Sequence, residues 1–385
     1  MNRIASYFSM AALLTLASGI SSADVEFSGF ASAGVVGGDL DVPLLSGRDV
    51  IGESSSFGAD NTVGVQVAAN VNDDISVKVQ LLGKGTVDSY SISAQWAYIS
   101  YEVSPSVSVR MGRMSFPAVL FSEYQEIGIS YPWVRNPMEV YSVVPLATYS
   151  GMDILYAIEG DNMSWAIQPF IGSSPGVQAL GATGDAELAF GITVMANTDN
   201  GKLSVTVANA NEANFTFNLG GIDATLSMDL TYISAGIEYE LNNLLLISEV
   251  VKKDIRNNPK SDFTSISDMV GYYLMLGYRV GDFLPHFTYA GSKSDHGSAV
   301  LPAGSTLPGV PASVYTTPAD MIIPSNGELF LQKSYTLGVR YDFSSQSAFK
   351  LEYQKIIPDD ESWGVYFANP GDSTSILSFA VDVVF

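Results

Sequence analysis

The chain has 385 residues, with 40 Asp and Glu against 18 Lys and Arg, a formal charge of −22 and no cysteine. Such acidity makes nucleic acid a poor partner, and the missing thiols exclude a disulfide scaffold or a thiolate metal site. Mean hydropathy is +0.20, yet beyond residue 23 no apolar run approaches the ~20 residues that a spanning helix needs. The hydrophobicity is stored as alternation, which is how a barrel wall carries it.

In chain order, Asn2 and Arg3 precede an apolar stretch from Ile4 to Ile20, followed by Ser21, Ser22 and Ala23. That is the layout of a secretory signal, with cleavage expected between Ala23 and Asp24. Residues 1–23 are therefore read as a signal peptide and 24–385 as one domain. Within it, Val63, Val65, Val67, Ala69 and Val71 share one face, with Thr62, Gly64, Gln66 and Asn70 on the other. After a turn, Ile75, Val77, Val79 and Leu81 alternate with Ser76, Lys78 and Gln80. A period of two marks strands with one greasy and one wet side.

The same rhythm predicts sixteen strands near 25–36, 61–71, 75–84, 94–103, 107–114, 151–159, 163–172, 186–196, 201–209, 231–241, 244–253, 267–280, 284–291, 333–343, 348–356 and 374–385. Their connections alternate. Short turns rich in Asn, Asp, Gly and Ser are followed by long segments at 37–60, 85–93, 115–150, 173–185, 210–230, 254–266, 292–332 and 357–373. Every short turn then falls at one end and every long loop at the other, the asymmetry of bacterial outer-membrane barrels. The expected fold is all-β: a sixteen-stranded antiparallel transmembrane barrel with short periplasmic turns and long extracellular loops. Its last strand places Leu377, Phe379, Val381, Val383 and the terminal Phe385 towards lipid.

Four stretches carry a family resemblance. Val25–Gly34 resembles the first strand of Gram-negative porins. The run from Gln95–Tyr101 through Arg110–Arg113 to Tyr131–Tyr141 resembles one porin-like family of that group. The resemblance covers the mature chain, with residues 95–141 its most specific part. The Pro-Glu-Phe-Gly-Gly stretch of the best-known general porins is missing from the third long loop. The resemblance implies a third loop folded into the lumen, a homotrimer, outer-membrane lipid and lipopolysaccharide as surroundings, and small hydrophilic solutes as cargo, without a cofactor.

Selectivity of such a channel comes from pore width and from the charges at its narrowest point. The third loop is rich in aromatics and would be poorly placed in open solvent; folded inward, it brings Glu123, Glu126, Arg135 and Glu139 to the pore. Strand phase points Lys78, Arg110, Arg340, Asp342, Lys350 and Glu352 inward, because a bare cation facing hydrocarbon costs about 2–4 kcal/mol at the midplane. Glu249 is read as a lumen residue. Arg113 falls on the lipid phase at the extracellular end, yet with Arg110 it either anchors the third loop or selects ions. Acidic residues Asp39, Asp41, Asp49 and Glu53 could hold divalent cations that bridge to lipopolysaccharide.

Catalysis finds no footing. The two histidines, His286 and His296, lie near no recognisable nucleophile motif, and neither metal-ligand spacing nor a phosphate loop is present. A substrate-selective channel and a non-conducting adhesive barrel are the alternatives. Scattered inward aromatics argue against a sugar slide, and the shortage of lysine and arginine against a phosphate channel.

Overall fold

The computed structural model describes residues 24–39, 44–45, 50–51, 55–85, 90–144, 146–179, 182–219, 222–257, 268–294, 331–359, 362, 364 and 372–385. The expected signal peptide, most of the 292–332 loop, Asp41, Asp49, Glu53 and His296 lie outside the described residues. In chain order the strands are β1 (Asp24–Gly38), β2 (Leu44–Leu45), β3 (Val50–Ile51), β4 (Thr62–Asn70), β5 (Ile75–Gly85), β6 (Tyr90–Ser104), β7 (Val107–Ser115) and β8 (Thr148–Ile158). They continue with β9 (Ser164–Ala179), β10 (Ala182–Thr198), β11 (Gly201–Leu219), β12 (Ile222–Leu241) and β13 (Leu244–Asn257). The last five are β14 (Met269–Tyr278), β15 (Phe283–Ser294), β16 (Gln332–Ser344), β17 (Ser347–Pro358) and β18 (Thr374–Val384).

β2 and β3 form a small ribbon in the first long loop. Among the described residues the other sixteen strands pair antiparallel with their neighbours, and β1 pairs with both β4 and β18, so that the sheet closes. Closure leaves no edge, which is the condition for a sheet to stand in lipid with its amides paired. Among the described residues no helix is long and apolar enough to cross a membrane. The crossing elements are strands.

The two faces follow the alternation. Val63, Val65, Leu81 and Met111 are exposed on the outside, while Thr62 and Gln80 are buried inside. The closing seam runs from Phe30↔Val384 to Gly38↔Ile376.

Two expected loops are not loops. The segments 173–185 and 210–230 are mostly ladder, because β9 runs to Ala179, β10 starts at Ala182, β11 runs to Leu219 and β12 starts at Ile222. The first stretch is mostly small and polar; the second does alternate apolar and polar residues, but the buried Ala213, Met228 and Leu230 stand inward, the reverse of the lipid-facing phase that marks the rest of the wall. Backbone pairing continues regardless of side-chain polarity. A bulge adds to the concealment: the register jumps between Ala210 and Ala213, with Glu212 at φ 48° and its amide donating to Asp229 Oδ1 at 2.9 Å. The extra residue breaks the period of two.

The segment between β7 and β8 lies inside the barrel. It holds a 3₁₀ turn at Gly128–Ser130 and one helical turn, α1 (Met138–Tyr141). Phe116 packs edge-on against Phe170 at 5.5 Å, and Trp133 against Tyr273 at 5.4 Å. Phe121, Tyr131, Trp133 and Val140 join wall residues Ile247, Tyr273 and Met275 in one apolar cluster. Burying each large side chain contributes about 1.5–3 kcal/mol. That is why this segment adheres to the inner wall.

Candidate pore constriction

The loop begins and ends together, with the Phe116 amide donating to the Ala147 carbonyl at 3.0 Å. From there its backbone is fixed strand by strand. Thr193 Oγ1 of β10 donates to the Pro117 carbonyl (3.1 Å), and Ser234 Oγ of β12 to that of Ala118 (2.6 Å). On β13, Glu249 accepts the Leu120 amide at 2.6 Å and the Tyr141 hydroxyl at 3.2 Å. On β15, Thr288 accepts the Trp133 indole N–H at 2.8 Å.

The far side is fastened by charge. Lys350 of β17 is fully buried, donates to the carbonyls of Gly128 (2.6 Å) and Trp133 (2.7 Å), and lies 2.8 Å from Asp382. Arg340 of β16 donates to the carbonyls of Ile129 (2.7 Å) and Tyr131 (3.1 Å). Arg135 makes a two-pronged pair with Asp60, both contacts 2.6 Å, and reaches Ser378 of β18 at 2.9 Å. Glu139 accepts from Gln332 Nε2 at 2.7 Å. Burial pushes the Glu139 carboxyl above the usual carboxylate range, and the Gln332 bond offsets only part of that. Burial, then the Glu249 carboxylate, raises the Tyr141 phenol well above its ordinary value, so it remains a neutral donor.

Towards β5–β7 the loop presents its carboxylates. Glu126 pairs with Lys84 of β5 at 3.0 Å. Glu123, with nearly half its side chain in solvent, approaches Arg110 of β7 to 3.5 Å. Arg110 is itself held by Asp153 of β8 at 2.9 and 2.5 Å, and stands over the Tyr98 ring at 5.4 Å. Asp153 also accepts from Tyr149 and Gln168, so the guanidinium is rigidly presented. Lys78 lies 5.9 Å from the centre of the Trp96 ring.

The ten residues singled out from sequence thus separate into three groups. Arg110 pairs with the half-exposed Glu123 between loop and wall, Glu126 is buried in its pair with Lys84, and Lys78 stands by the Trp96 ring. Arg135, Glu139, Glu249, Arg340 and Lys350 hold the loop to the wall; Glu139, Glu249 and Lys350 are buried beneath it rather than lining open lumen. Arg113 is a correction to the lumen set. It pairs in register with Ala97 and Ser150 and lines an outward recess with Met111 and Met152. The lipid phase places it outside, and nothing turns it inward.

Sequence reasoning passed over Lys84, Asp153, Asp60 and Asp382. The first two were accessible, since Lys84 shares the phase of Lys78, and Asp153 alternates with the outward Met152 and Ile154. Asp60 sits in a turn with no phase to read.

A family profile described as Gram-negative porin matches residues 10–360. The chain belongs to the Gram-negative porin family. This porin is therefore a non-enzymatic outer-membrane channel. No curated protein matches it by sequence.

Its fold is shared with solved structures at low identity. The trimer form of in-vitro folded OmpT, from Vibrio cholerae, aligns with a TM-score of 0.56 at 11% identity, over 95% of this chain and 100% of that one. OmpF of Salmonella typhi, in complex with daunomycin, aligns at 0.58 and 13%, covering 94% and 97%. An anion-selective porin from Comamonas acidovorans aligns at 0.57 and 13%, covering 94% and 100%.

Proposed function

We propose that small hydrophilic solutes and ions diffuse through a constriction bounded by Lys78, Lys84 and Arg110 on one side and Glu123 and Glu126 on the other, with a mild preference for cations. One observation carries the reading: two loop carboxylates face two wall cations, at 3.0 Å for Glu126 with Lys84 and 3.5 Å for Glu123 with Arg110. Opposed charges produce a field across the path that favours polar solutes over apolar ones. With Asp153 included, three cations meet three carboxylates, so the constriction is balanced locally. The weak bias then comes from the acidic remainder of the chain, screened over ~8 Å at physiological salt.

Planar-bilayer recordings under a salt gradient test this. The wild-type reversal potential should show mild cation preference, and Glu123→Gln with Glu126→Gln should move it towards anions. Anion preference in the wild type would refute the reading. Block by a particular sugar, peptide or phosphate would indicate a dedicated channel instead. By likeness to the trimer form of OmpT, the mature chain, residues 24–385 after loss of its leader, assembles as a homotrimer. N-terminal sequencing and the mass of the unheated protein check both points.

A further inference from the structure

Two of the three wall cations at the constriction are matched by carboxylates. Lys84 pairs with Glu126 at 3.0 Å, and Arg110 with Asp153 at 2.5 Å and Glu123 at 3.5 Å. Lys78 of β5 has no carboxylate partner among the described residues, and its ammonium lies instead 5.9 Å from the centre of the Trp96 ring. In a chain with 40 Asp and Glu against 18 Lys and Arg, an unmatched lysine facing the lumen needs a reason.

Strand register sets this lysine beside an aromatic pair. Lys78 is directly opposite Tyr98 of β6, and Gln80 is opposite Trp96. Residues two apart on a strand share a face, so Trp96 and Tyr98 form a two-ring strip on the lumen side. On its other flank Tyr98 meets the Arg110 guanidinium, 5.4 Å from the ring centre, and is opposite Gly112, which presents no side chain. Other inward aromatics of the wall, Tyr149, Phe170, Tyr232 and Tyr273, are buried in the clusters that hold the loop. Trp96 and Tyr98 stay only half-buried. The polar groups around them are already committed: the Trp96 indole N–H donates to Ser115 at 2.8 Å, Gln80 to Gln66 at 3.2 Å, and Gln66 to Ser28 at 3.5 Å. What the patch still offers is one ammonium and two π surfaces. A sugar finds few free donors and acceptors there, and a small inorganic anion would leave the rings unused. A flat ring carrying one carboxylate uses both.

We infer that Lys78, Trp96 and Tyr98 form a lumen subsite for planar aromatic monocarboxylates, the carboxylate on the Lys78 ammonium and the ring against the two aromatic side chains. A charge-assisted hydrogen bond fixes one end of the solute, and offset or edge-on ring contacts hold the other. Arg110, itself held by Asp153, backs the strip and keeps Tyr98 in place. Two rings make a single station rather than a slide. The inference rests on the lumen being the diffusion path; the preference between small ions is a separate property, set by the field of all the charges.

The test is single-channel recording of the whole porin in potassium chloride, with benzoate as probe and cyclohexanecarboxylate and benzamide as controls. Benzoate should interrupt the current in brief blocks, with an apparent affinity roughly threefold or more above that of cyclohexanecarboxylate, the difference that ring contacts supply. Lys78→Gln should weaken the benzoate block about tenfold or more, because a hydrogen bond to a charged group is lost, and Lys78→Arg should keep it. Trp96→Leu should bring benzoate down to the level of cyclohexanecarboxylate. Migration of the unheated protein verifies that each variant is folded. Equal benzoate block in wild type and Lys78→Gln overturns the inference, and so does block by benzamide as strong as by benzoate. Equal block by benzoate and cyclohexanecarboxylate would show an anion site without ring selection and refute it as well. The salt-gradient reversal potential, read in the same membranes before benzoate is added, tests the ion preference alone. Cation preference without benzoate block refutes the subsite and leaves the diffusion reading; anion preference with ring-selective block does the reverse.

Discussion

Glu139 shows what a single buried group does to the loop. Its carboxyl is almost wholly enclosed, and burial raises its pKa above the ordinary carboxylate range. The folded protein therefore keeps this proton over a pH window in which the unfolded chain has already released it. Where the native state binds more protons, stability falls as pH rises, and below the unfolded pKa the effect vanishes. Glu139→Gln keeps the oxygen that accepts from Gln332 and removes the titration. The variant should match wild type near about pH 4 and exceed it increasingly towards about pH 8. Urea midpoints followed by tryptophan fluorescence, to which Trp133 of the loop contributes, measure the difference. Parallel curves for the two proteins would show that Glu139 does not govern loop attachment. Arg135 gains its geometry from a different source, since its partner Asp60 is 75 residues away and no local pattern connects them.

At the scale of elements, the strands were legible and the loop's attachments were not. Alternation located every wall strand because each must show lipid one face and water the other. It failed over Asn209–Leu219, where β11 continues with a bulge and without apolar residues to mark the outside. Phase also placed Lys78 and Arg110 inside and Arg113 outside. It had nothing to say about which inward groups the loop would cover, because that depends on where a non-periodic segment comes to rest. Gly271 of β14 shows the constraint from the wall's side: a Cβ there would overlap the Glu139 carbonyl and press on Val140. Only a glycine lets α1 lie this close. Gly271→Val should lift α1 from the wall at a cost of about 1–3 kcal/mol, the usual penalty for overpacking. Single-channel recordings should become noisier, and protease should cut within residues 116–147. A quiet, protease-resistant channel would mean that the wall yields instead of the loop.

At the scale of the whole molecule, the barrel depends on one seam that joins its first and last strands. Phe385 extends it: the Phe385 amide donates to the Gly29 carbonyl at 2.9 Å, and the Gly29 amide to that of Phe385 at 2.8 Å. The Phe385 ring also occupies the space that a side chain on residue 29 would need. These two contributions can be separated. Phe385→Ala keeps both backbone bonds and removes the ring, whereas deletion of Phe385 removes ring and bonds together. In hydrocarbon an unpaired backbone group costs several kcal/mol, whereas the Phe385 ring, 65% exposed, gains only part of the ~1.5–3 kcal/mol of full burial. Deletion should therefore lower the thermal unfolding midpoint clearly further than Phe385→Ala, with Phe385→Tyr close to wild type. The fraction that resists denaturation before heating should follow the same order. If alanine and deletion are equally damaging, the ring rather than the hydrogen-bonded seam controls closure, and the edge-free sheet is not what stabilises the end of this wall.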